Sequence, residues 1–240
     1  MALVSYNSLC IDVSDESRMA RFWSAAAGLD VATHTDGDSI LTGPTPQHTI
    51  SLNDVPEPKT VKHRVHLDVN GGSVAEYEAL GAHVLADWVP FAWIVMADPE
   101  GGEFCLFERD KSAPRGQEVP PRWDDTYRLY EVCVDAADSR AIASWWADVF
   151  GATLRDSDRE FFWIEDLEGC PFGSFVFADV PEPKTVKNRI HWDVTLVGDA
   201  TVDDLATKGA VLLRAPDDEI DWTVMADPEG NEFCVFAADE

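Results

Sequence analysis

Polar and apolar residues alternate along the first stretch of the chain. Over residues 5–13 the period is two, which predicts a half-buried β-strand. From Glu16 to Ala27 the apolar residues recur at helical spacing, with Asp15 placed to cap the helix and Gly28 to end it. Three short apolar segments between turn residues follow. The first quarter therefore predicts the order βαβββ.

The same order recurs three more times. Further helices are predicted over residues 73–80, 139–150 and 202–208, and a glycine follows each helix directly. The other predicted strands cover residues 29–34, 39–43, 48–53, 64–69, 83–88, 93–97, 103–107, 129–135, 189–194, 211–214, 222–226 and 232–236, with three more between 151 and 177. The chain thus predicts four βαβββ modules.

Two long internal repeats show that the chain is a tandem duplication. Residues 55–69, VPEPKTVKHRVHLDV, return as 180–194, VPEPKTVKNRIHWDV. Residues 96–107, MADPEGGEFCLF, return as 225–236, MADPEGNEFCVF. A period this long indicates two whole domains. We assign residues 1–108 to the first domain, the proline-containing segment 109–123 to a linker, and residues 124–240 to the second domain.

Each repeat carries a charged Arg-x-His-x-Asp face on a strand. In the first copy Arg64, His66 and Asp68 alternate with apolar residues, and Arg189, His191 and Asp193 do so in the second. A histidine beside a carboxylate could act as a general base. The alternative is a solvated ladder of charges, in which Arg64 and Asp68 face Glu103, and their repeat counterparts face Glu232.

Composition limits the classes of partner. Of the 240 residues 45% are hydrophobic, enough for a core in each domain. The net charge of −27 argues against nucleic-acid and anionic-membrane partners and would attract a cationic ligand, although it also serves solubility alone. There is no apolar run of membrane-spanning length and no secretory signal pattern, so we expect a cytoplasmic protein.

The cysteines and tryptophans supply further candidates. The five cysteines, an odd number without CxxC spacing, fit a reducing compartment. Cys105 and Cys234 are equivalent in the repeat and could be functional. Cys10 and Cys133 are also equivalent, and we interpret them as small, half-buried packing residues on strands. Among nine tryptophans, Trp88, Trp93, Trp163 and Trp222 lie on or beside strands predicted to line a ligand site, where their rings could stack on a ligand. The alternative is that these four also pack in the core. Trp23, Trp145, Trp146 and Trp192 are predicted to pack in the core.

Paired βαβββ modules, the His-x-Asp-Val strand and the late Asp-Pro-Glu-Gly-Asn turn resemble the vicinal oxygen chelate superfamily, which includes glyoxalase I and bleomycin-resistance proteins. The resemblance covers nearly the whole chain outside the linker. It implies an α+β fold of two tandem domains. In each domain two βαβββ modules would form a cupped mixed sheet with the helices outside.

The resemblance also implies metal-binding positions. They fall on Ser8, Ser51, His66 and Cys105 in the first domain, and on Glu131, Val176, His191 and Cys234 in the second. Cysteine replaces the glutamate usual in the last strand. We therefore expect no metal in the first domain, while Glu131, His191 and Cys234 could form a zinc site in the second.

The leading hypothesis is a small-molecule binding protein of the bleomycin-resistance type, which sequesters an aromatic or cationic metabolite or drug without a conventional metal centre. Its ligand-binding candidates are Ser8, Asp68, Cys105, Asp193, Cys234, Trp93 and Trp222. The rival hypothesis is a lyase or isomerase, metal-free or assisted by zinc, with His66, His191 and Glu131 as catalytic candidates. The partner is in either case a small molecule, and we expect a monomer or a weak homodimer.

Overall fold

A computed structural model of the protein describes residues 1–33, 38–87, 93–108, 127–156 and 161–238. The predicted linker at 109–123 and Trp88 lie outside these residues. The described residues form the four predicted βαβββ modules. None of the described helices combines the length and the apolar content that crossing a membrane requires.

The helices and strands lie close to their predicted positions. Module 1 contains β1 (Val4–Val13), α1 (Glu16–Ala27), β2 (Asp30–Thr33), β3 (Ser39–Thr42) and β4 (Ile50–Asp54), with a 3₁₀ turn at Pro46–His48. Module 2 contains β5 (Val65–Asn70), α2 (Val74–Ala79), β6 (His83–Asp87), β7 (Ile94–Ala97) and β8 (Glu103–Phe107). Module 3 contains β9 (Leu129–Ala136), α3 (Ser139–Phe150), β10 (Thr153–Asp156), β11 (Phe161–Glu165) and β12 (Ser174–Asp179). Module 4 contains β13 (Ile190–Leu196), α4 (Val202–Thr207), β14 (Val211–Arg214), β15 (Thr223–Ala226) and β16 (Glu232–Phe236).

The caps of the two long helices explain why their bounds are readable from sequence. The Asp15 carboxylate accepts a hydrogen bond from a backbone N–H in the first turn of α1, and Asp138 does the same for α3. Gly28 ends α1 at φ 71° and Gly151 ends α3 at φ 65°, in the left-handed region where glycine has no steric penalty.

Two eight-stranded mixed sheets combine the modules across the two halves of the chain. Modules 1 and 4 form sheet 1/4, in the order β14-β15-β16-β13-β1-β4-β3-β2. Modules 2 and 3 form sheet 2/3, in the order β10-β11-β12-β9-β5-β8-β7-β6. At the centre of each sheet two module-opening strands pair antiparallel, β1 with β13 and β5 with β9.

The α+β class and the tandem modules are confirmed, but the partners within each sheet differ from the predicted ones. The resemblance implies that the two modules of each half share a sheet, whereas each observed sheet takes one module from each half. The two halves are similar in sequence, so either pairing would satisfy the same backbone hydrogen bonds. Local patterns therefore cannot distinguish between them.

The apolar faces of the two sheets share one core with the long helices. On α1, Phe22 and Trp23 each place their rings 5.7 Å from the ring of Phe104 in sheet 2/3. On α3, Trp146 lies 5.0 Å from Trp192 in sheet 1/4. These edge-to-face contacts lie among fully buried side chains, which confirms three of the predicted core tryptophans.

The fourth predicted core tryptophan, Trp145, is only half-buried. Its indole N–H donates to the carbonyl oxygen of Lys208 at 2.8 Å, and its ring packs against the core.

The two repeated arginines hold the module pairs together. Arg64 donates to the carbonyl oxygens of Asp135 (2.8 Å) and Glu182 (2.7 Å), which belong to module 3 and to the connector before module 4. Arg189 makes the reciprocal contacts to the carbonyl oxygens of Asp12 and Glu57. Each arginine is thus bound to backbone from the other half of the chain.

These contacts exclude the predicted ladder of charges. Arg64 lies near Glu229 (3.9 Å) and Arg189 near Glu100 (3.6 Å), so each arginine faces the other repeat. The two acids of the predicted ladder are neutralised by connector lysines instead. Glu103 pairs with Lys59 at 2.9 Å, and Glu232 with Lys184 at 2.7 Å.

One buried pair differs between the repeats. In the second half Asn188 donates its side-chain N–H to the Asn231 amide oxygen at 3.0 Å. The equivalent residues in the first half are His63 and Gly102. A Cβ at Gly102 would lie 2.7 Å from the His63 ring and 2.5 Å from an Asp98 carboxylate oxygen. The imidazole therefore needs the space that glycine leaves.

We expect Gly102→Asn to destabilise the protein by about 1–3 kcal/mol, because the added side chain overlaps the imidazole. His63→Asn in the same chain should recover most of this loss, since it restores the pair found in the second half. Denaturant unfolding of both single variants and the double variant measures the coupling. Additive effects of the two substitutions would contradict the proposed exchange.

His63 should also make stability depend on pH. Burial lowers its pKa to about 4, and both ring nitrogens are buried without a hydrogen-bond partner. Its pKa in the unfolded chain is about 6.5, so between about pH 6.5 and 4 the unfolded state binds more protons. Stability should therefore fall as pH falls through this window. Between pH 7 and pH 4 the free energy of unfolding of the wild type, measured with urea, should fall by roughly 1–3 kcal/mol more than that of His63→Asn.

Candidate functional site

The polar face of the central strands is buried. On β13, Trp192 points into the core, while His191 and Asp193 on the opposite face are only 7% and 4% exposed. On β5, Asp68 is 4% exposed and His66 is half-buried. These residues therefore do not form a solvated surface, and their neighbours determine their chemistry.

In sheet 1/4 the strand register brings together residues from both ends of the chain. Ser8 lies opposite Asp193, and Cys10 lies opposite His191, across the antiparallel pair of β1 and β13. On the other side of β13, Cys234 lies beside Asp193. We call this cluster site 1/4.

Sheet 2/3 contains the equivalent cluster, which we call site 2/3. Glu131 lies opposite Asp68, and Cys133 lies opposite His66, across the pair of β5 and β9. Cys105 lies beside Asp68 on β8. The two sites thus share two cysteines, a histidine and an aspartate at matching positions.

The zinc set predicted from sequence is not assembled. Glu131 belongs to sheet 2/3, whereas His191 and Cys234 belong to sheet 1/4. The prediction grouped residues by sequence half, but the modules pair across the halves. For the same reason Ser8 joins His191, and His66 joins Glu131, so the predicted catalytic pair of Glu131 and His191 is also separated.

In site 1/4 polar atoms converge on one carboxylate. The Ser8 hydroxyl donates to Asp193 Oδ2 at 2.7 Å, and the Cys10 thiol donates to the same oxygen at 3.4 Å. His191 Nε2 lies 3.9 Å from Asp193 Oδ1 and 3.6 Å from Cys234 Sγ. The imidazole thus lies between a carboxyl group and a thiol.

Site 2/3 repeats this arrangement at slightly shorter distances. His66 Nε2 lies 3.4 Å from Asp68 Oδ1 and 3.5 Å from Cys105 Sγ. The Cys133 thiol donates to Asp68 Oδ2 at 3.4 Å. Glu131 differs from its counterpart Ser8, because its carboxylate accepts a hydrogen bond from the Ser174 hydroxyl at 2.7 Å.

Burial favours the neutral form of every ionisable group in both sites. Desolvation lowers the pKa of His66 to about 4 and also lowers the pKa of His191. It raises the pKa values of Asp68 and Asp193 and that of Glu131 to about 7. The same cause raises the pKa values of the thiols of Cys10, Cys105, Cys133 and Cys234. The histidines are therefore neutral near pH 7.

Three buried polar atoms in these sites have no hydrogen-bond partner. They are Asp193 Oδ1, His191 Nδ1 and Asp68 Oδ1. Buried polar atoms are normally satisfied, because an unpaired one costs about 1–3 kcal/mol. The nearest imidazole nitrogens lie 3.9 Å from Asp193 Oδ1 and 3.4 Å from Asp68 Oδ1, and the Cys234 and Cys105 thiols also interact with these two carboxyl groups, so both carboxyl groups are held by weak contacts within the protein.

A pocket of about 170 Å³ opens beside site 1/4. Its apolar wall is formed by Trp222, Ile220 and Val224, and His191 and Cys234 also line it. The Trp222 ring stacks on Phe236 with a centroid distance of 5.6 Å, which holds the indole in place. The predicted ligand-site tryptophan Trp222 thus lies beside the predicted histidine.

Trp93 occupies the equivalent position in sheet 2/3. Its ring lies 5.9 Å from Phe107, the counterpart of Phe236. The two tryptophans therefore belong to different sites. Trp163, also in sheet 2/3, donates its indole N–H to Glu165 at 3.1 Å.

The pocket walls carry charges of both signs. Lys187 and Arg214 lie on the wall together with Glu232. Lys187 is paired with Asp12 at 2.5 Å, and Glu232 is paired with Lys184. The pocket therefore has no excess of acidic groups, in contrast to the chain as a whole.

The positions that the resemblance assigns to a metal do not suit a hard divalent cation. In site 1/4 they are Ser8, Ser51, His191 and Cys234, a set without a carboxylate. In site 2/3 one of the four positions is Val176, which has no donor atom. Mg²⁺, Mn²⁺ and non-haem Fe²⁺ sites require carboxylate ligands, and only Glu131 supplies one here.

Sequence reasoning underrated Cys10 and Cys133. It identified their equivalence in the repeat but treated them as packing residues. The available signal was their alternation with apolar residues on the first strand of a module, on the same side as Ser8 and Glu131. The contact of Cys10 with Asp193 depends on a pairing between strands that are more than 180 residues apart.

Comparison with known proteins agrees with this architecture. The family model described as "Glyoxalase-like domain" matches residues 8–107 and 131–236. Glyoxalase I from Zea mays is similar in structure, with a TM-score of 0.63 and 15% identity over 97% of this chain and 92% of that one. A point variant of the maize protein has a TM-score of 0.66 and 13% identity, over 98% of this chain and 94% of that one. No curated protein sequence matches significantly. Since the family model covers most of both halves, the chain belongs to the glyoxalase-like domain family, in tandem form.

Proposed function

We propose that the protein binds a small planar molecule in the pocket of site 1/4 and does so without a hard divalent metal. The observation that carries this proposal is the placement of the Trp222 ring and the His191 imidazole on one pocket. An aromatic wall beside a polar group is the usual composition of a small-molecule site.

The pocket volume limits the size of the ligand. Drug-sized ligands occupy pockets of about 300–1,000 Å³. The value of about 170 Å³ is well below this range and suits a molecule of about one ring. We therefore narrow the sequence hypothesis from a drug to a small metabolite.

The polar groups favour recognition by hydrogen bonds. Burial lowers the pKa of His191, so its neutral imidazole can either donate or accept. The charges of Lys187 and Glu232 on the wall are already paired within the protein. These pairs give a cation no advantage over a neutral ligand, so the expected preference for cations depends on the net charge alone.

The test is a screen of single-ring aromatic compounds that are neutral, anionic or cationic. Isothermal calorimetry and the shift in melting temperature measure their binding. Trp222→Ala should weaken binding at least about tenfold, because it removes stacking and buried apolar area worth about 1.5–3 kcal/mol. Trp93→Ala is the matched control in sheet 2/3 and should leave the affinity unchanged. Equal losses in both variants, or no binding by the wild type, would contradict the proposal.

Proton transfer at His191 is the second candidate function. It is favoured by the neutral imidazole on the pocket wall, which could accept a proton from a bound substrate. Glu131 cannot assist, because it lies in the other sheet. If this function holds, His191→Gln should abolish turnover of a ligand identified in the binding screen, whereas His66→Gln should not.

A further inference from the structure

We propose that the protein has a second small-molecule site, which binds a primary alkylammonium compound where modules 1, 3 and 4 meet. The site is a pocket of about 280 Å³, which we call the junction pocket. Its lining residues are Ser5, Tyr6, Gln47, Glu168, Gly169 and Val197. None of them lines the pocket of site 1/4, so the proposal does not depend on ligand binding there.

The junction pocket forms where a loop of sheet 2/3 contacts sheet 1/4. Most of its wall belongs to modules 1 and 4. Strand β1 and the 3₁₀ turn before β4 supply three of the lining residues, and Val197 directly follows β13. The remaining wall is the loop between β11 and β12, which contains Glu168 and Gly169. A ligand in this pocket would therefore contact both sheets.

Packing holds this loop against β1. The Tyr6 ring contacts the Phe172 ring edge-on, with 5.2 Å between the two centroids, and Tyr6 is buried. Gly169 has a φ of 78°, in the left-handed region that glycine adopts without strain. A Cβ at Gly169 would lie 3.6 Å from the Tyr6 carbonyl oxygen and 3.6 Å from Gln47 Cγ. These contacts position the walls of the pocket without a ligand.

Three polar side chains on the wall are not used within the protein. Among the described residues, the Ser5 hydroxyl, the Gln47 amide and the Glu168 carboxylate have no hydrogen-bond or ion-pair partner. The pocket of site 1/4 differs in this respect, because Lys187 and Glu232 on its wall are already paired. The polar groups of the junction pocket are therefore available to a ligand.

The chemistry of these groups suits an ammonium group. Glu168 is the one charged side chain among the lining residues that the structure describes, and a carboxylate forms strong hydrogen bonds with a charged donor. The Gln47 amide oxygen and the Ser5 hydroxyl oxygen bring the number of acceptors to three, which matches the three N–H donors of a primary ammonium. Val197 offers apolar surface to an alkyl chain.

The other half of the chain places its own cation at the equivalent end of a central strand pair. In the pairing of β9 with β5, Arg128 corresponds to Ser5, and Gly72 corresponds to Val197. A Cβ at Gly72 would lie 3.6 Å from Arg128 Nη1, so the guanidinium occupies the space beside this glycine. Ser5 carries no charge. A cation at the junction pocket must therefore come from a ligand.

The experiment titrates the full ¹⁵N-labelled chain with hexylammonium chloride and follows the backbone amide signals by NMR. The signals of Ser5, Tyr6, Gly169 and Val197 should shift and saturate together, whereas the signal of Trp222 in site 1/4 should not change. Hexanol and hexanoate have the same chain length without the positive charge. Both should bind at least about threefold more weakly, and added salt should weaken the binding of hexylammonium.

Substitutions test the role of the carboxylate. Glu168→Gln keeps the shape of the side chain and should weaken hexylammonium binding about threefold to fivefold, the contribution of an exposed ion pair. Ser5→Arg introduces the residue of the other half and should abolish binding, because its guanidinium would pair with Glu168. Glu57→Gln is the matched control. Gln47 precedes β4 and Glu57 follows it, so this variant removes the same charge beyond the opposite end of the strand and should leave the affinity unchanged.

The melting temperature without ligand shows whether each variant folds, and Gln47→Ala, which should also weaken binding, replaces Ser5→Arg if that variant is unfolded. The proposal is overturned if hexylammonium leaves the four amide signals unchanged or if hexanol binds equally well. It is also overturned if Glu168→Gln and Glu57→Gln lower the affinity equally, since the net charge of −27 alone would then attract the cation. Trp222→Ala should not affect this titration, so the two binding proposals can fail separately.

Discussion

The antiparallel pairing of β1 with β13, and of β5 with β9, is the contact on which both sites depend. It joins the first strand of one half of the chain to a strand of the other half. Cys10 reaches Asp193, and Cys133 reaches Asp68, only through these pairs. The reciprocal contacts of Arg64 and Arg189 with backbone of the other half support the same arrangement.

The pairing also explains why polar residues are buried at the centre of each sheet. A central strand has a neighbour on each side. Side chains of β8 and β9 flank those of β5, and side chains of β1 and β16 flank those of β13. Burying histidine, aspartate and cysteine costs free energy unless their polar atoms find partners. The protein meets this cost twice with the same four residues, two cysteines, a histidine and an aspartate, and this repetition supports a role for them beyond packing.

The two sites have diverged around this common centre. Site 1/4 has Ser8 and Ser51 next to its cysteine, whereas site 2/3 has Glu131 and Val176. Glu131 adds a carboxyl group whose pKa burial raises to about 7. Similar scaffolds thus present different polar surroundings in the two sites.

Local sequence patterns specify the modules, most element bounds and the histidines and aspartates of the central strands. Alternation identified His66, Asp68, His191 and Asp193 as one face, and the caps at Asp15 and Gly28 fixed a helix. These features depend on neighbours within a few residues, so local patterns reveal them. Which modules share a sheet is visible only in the folded chain, and with it the fact that Glu131 joins His66 and not His191. Duplicated strands offer equivalent partners to one another, so their pairing depends on long-range packing that no local pattern records.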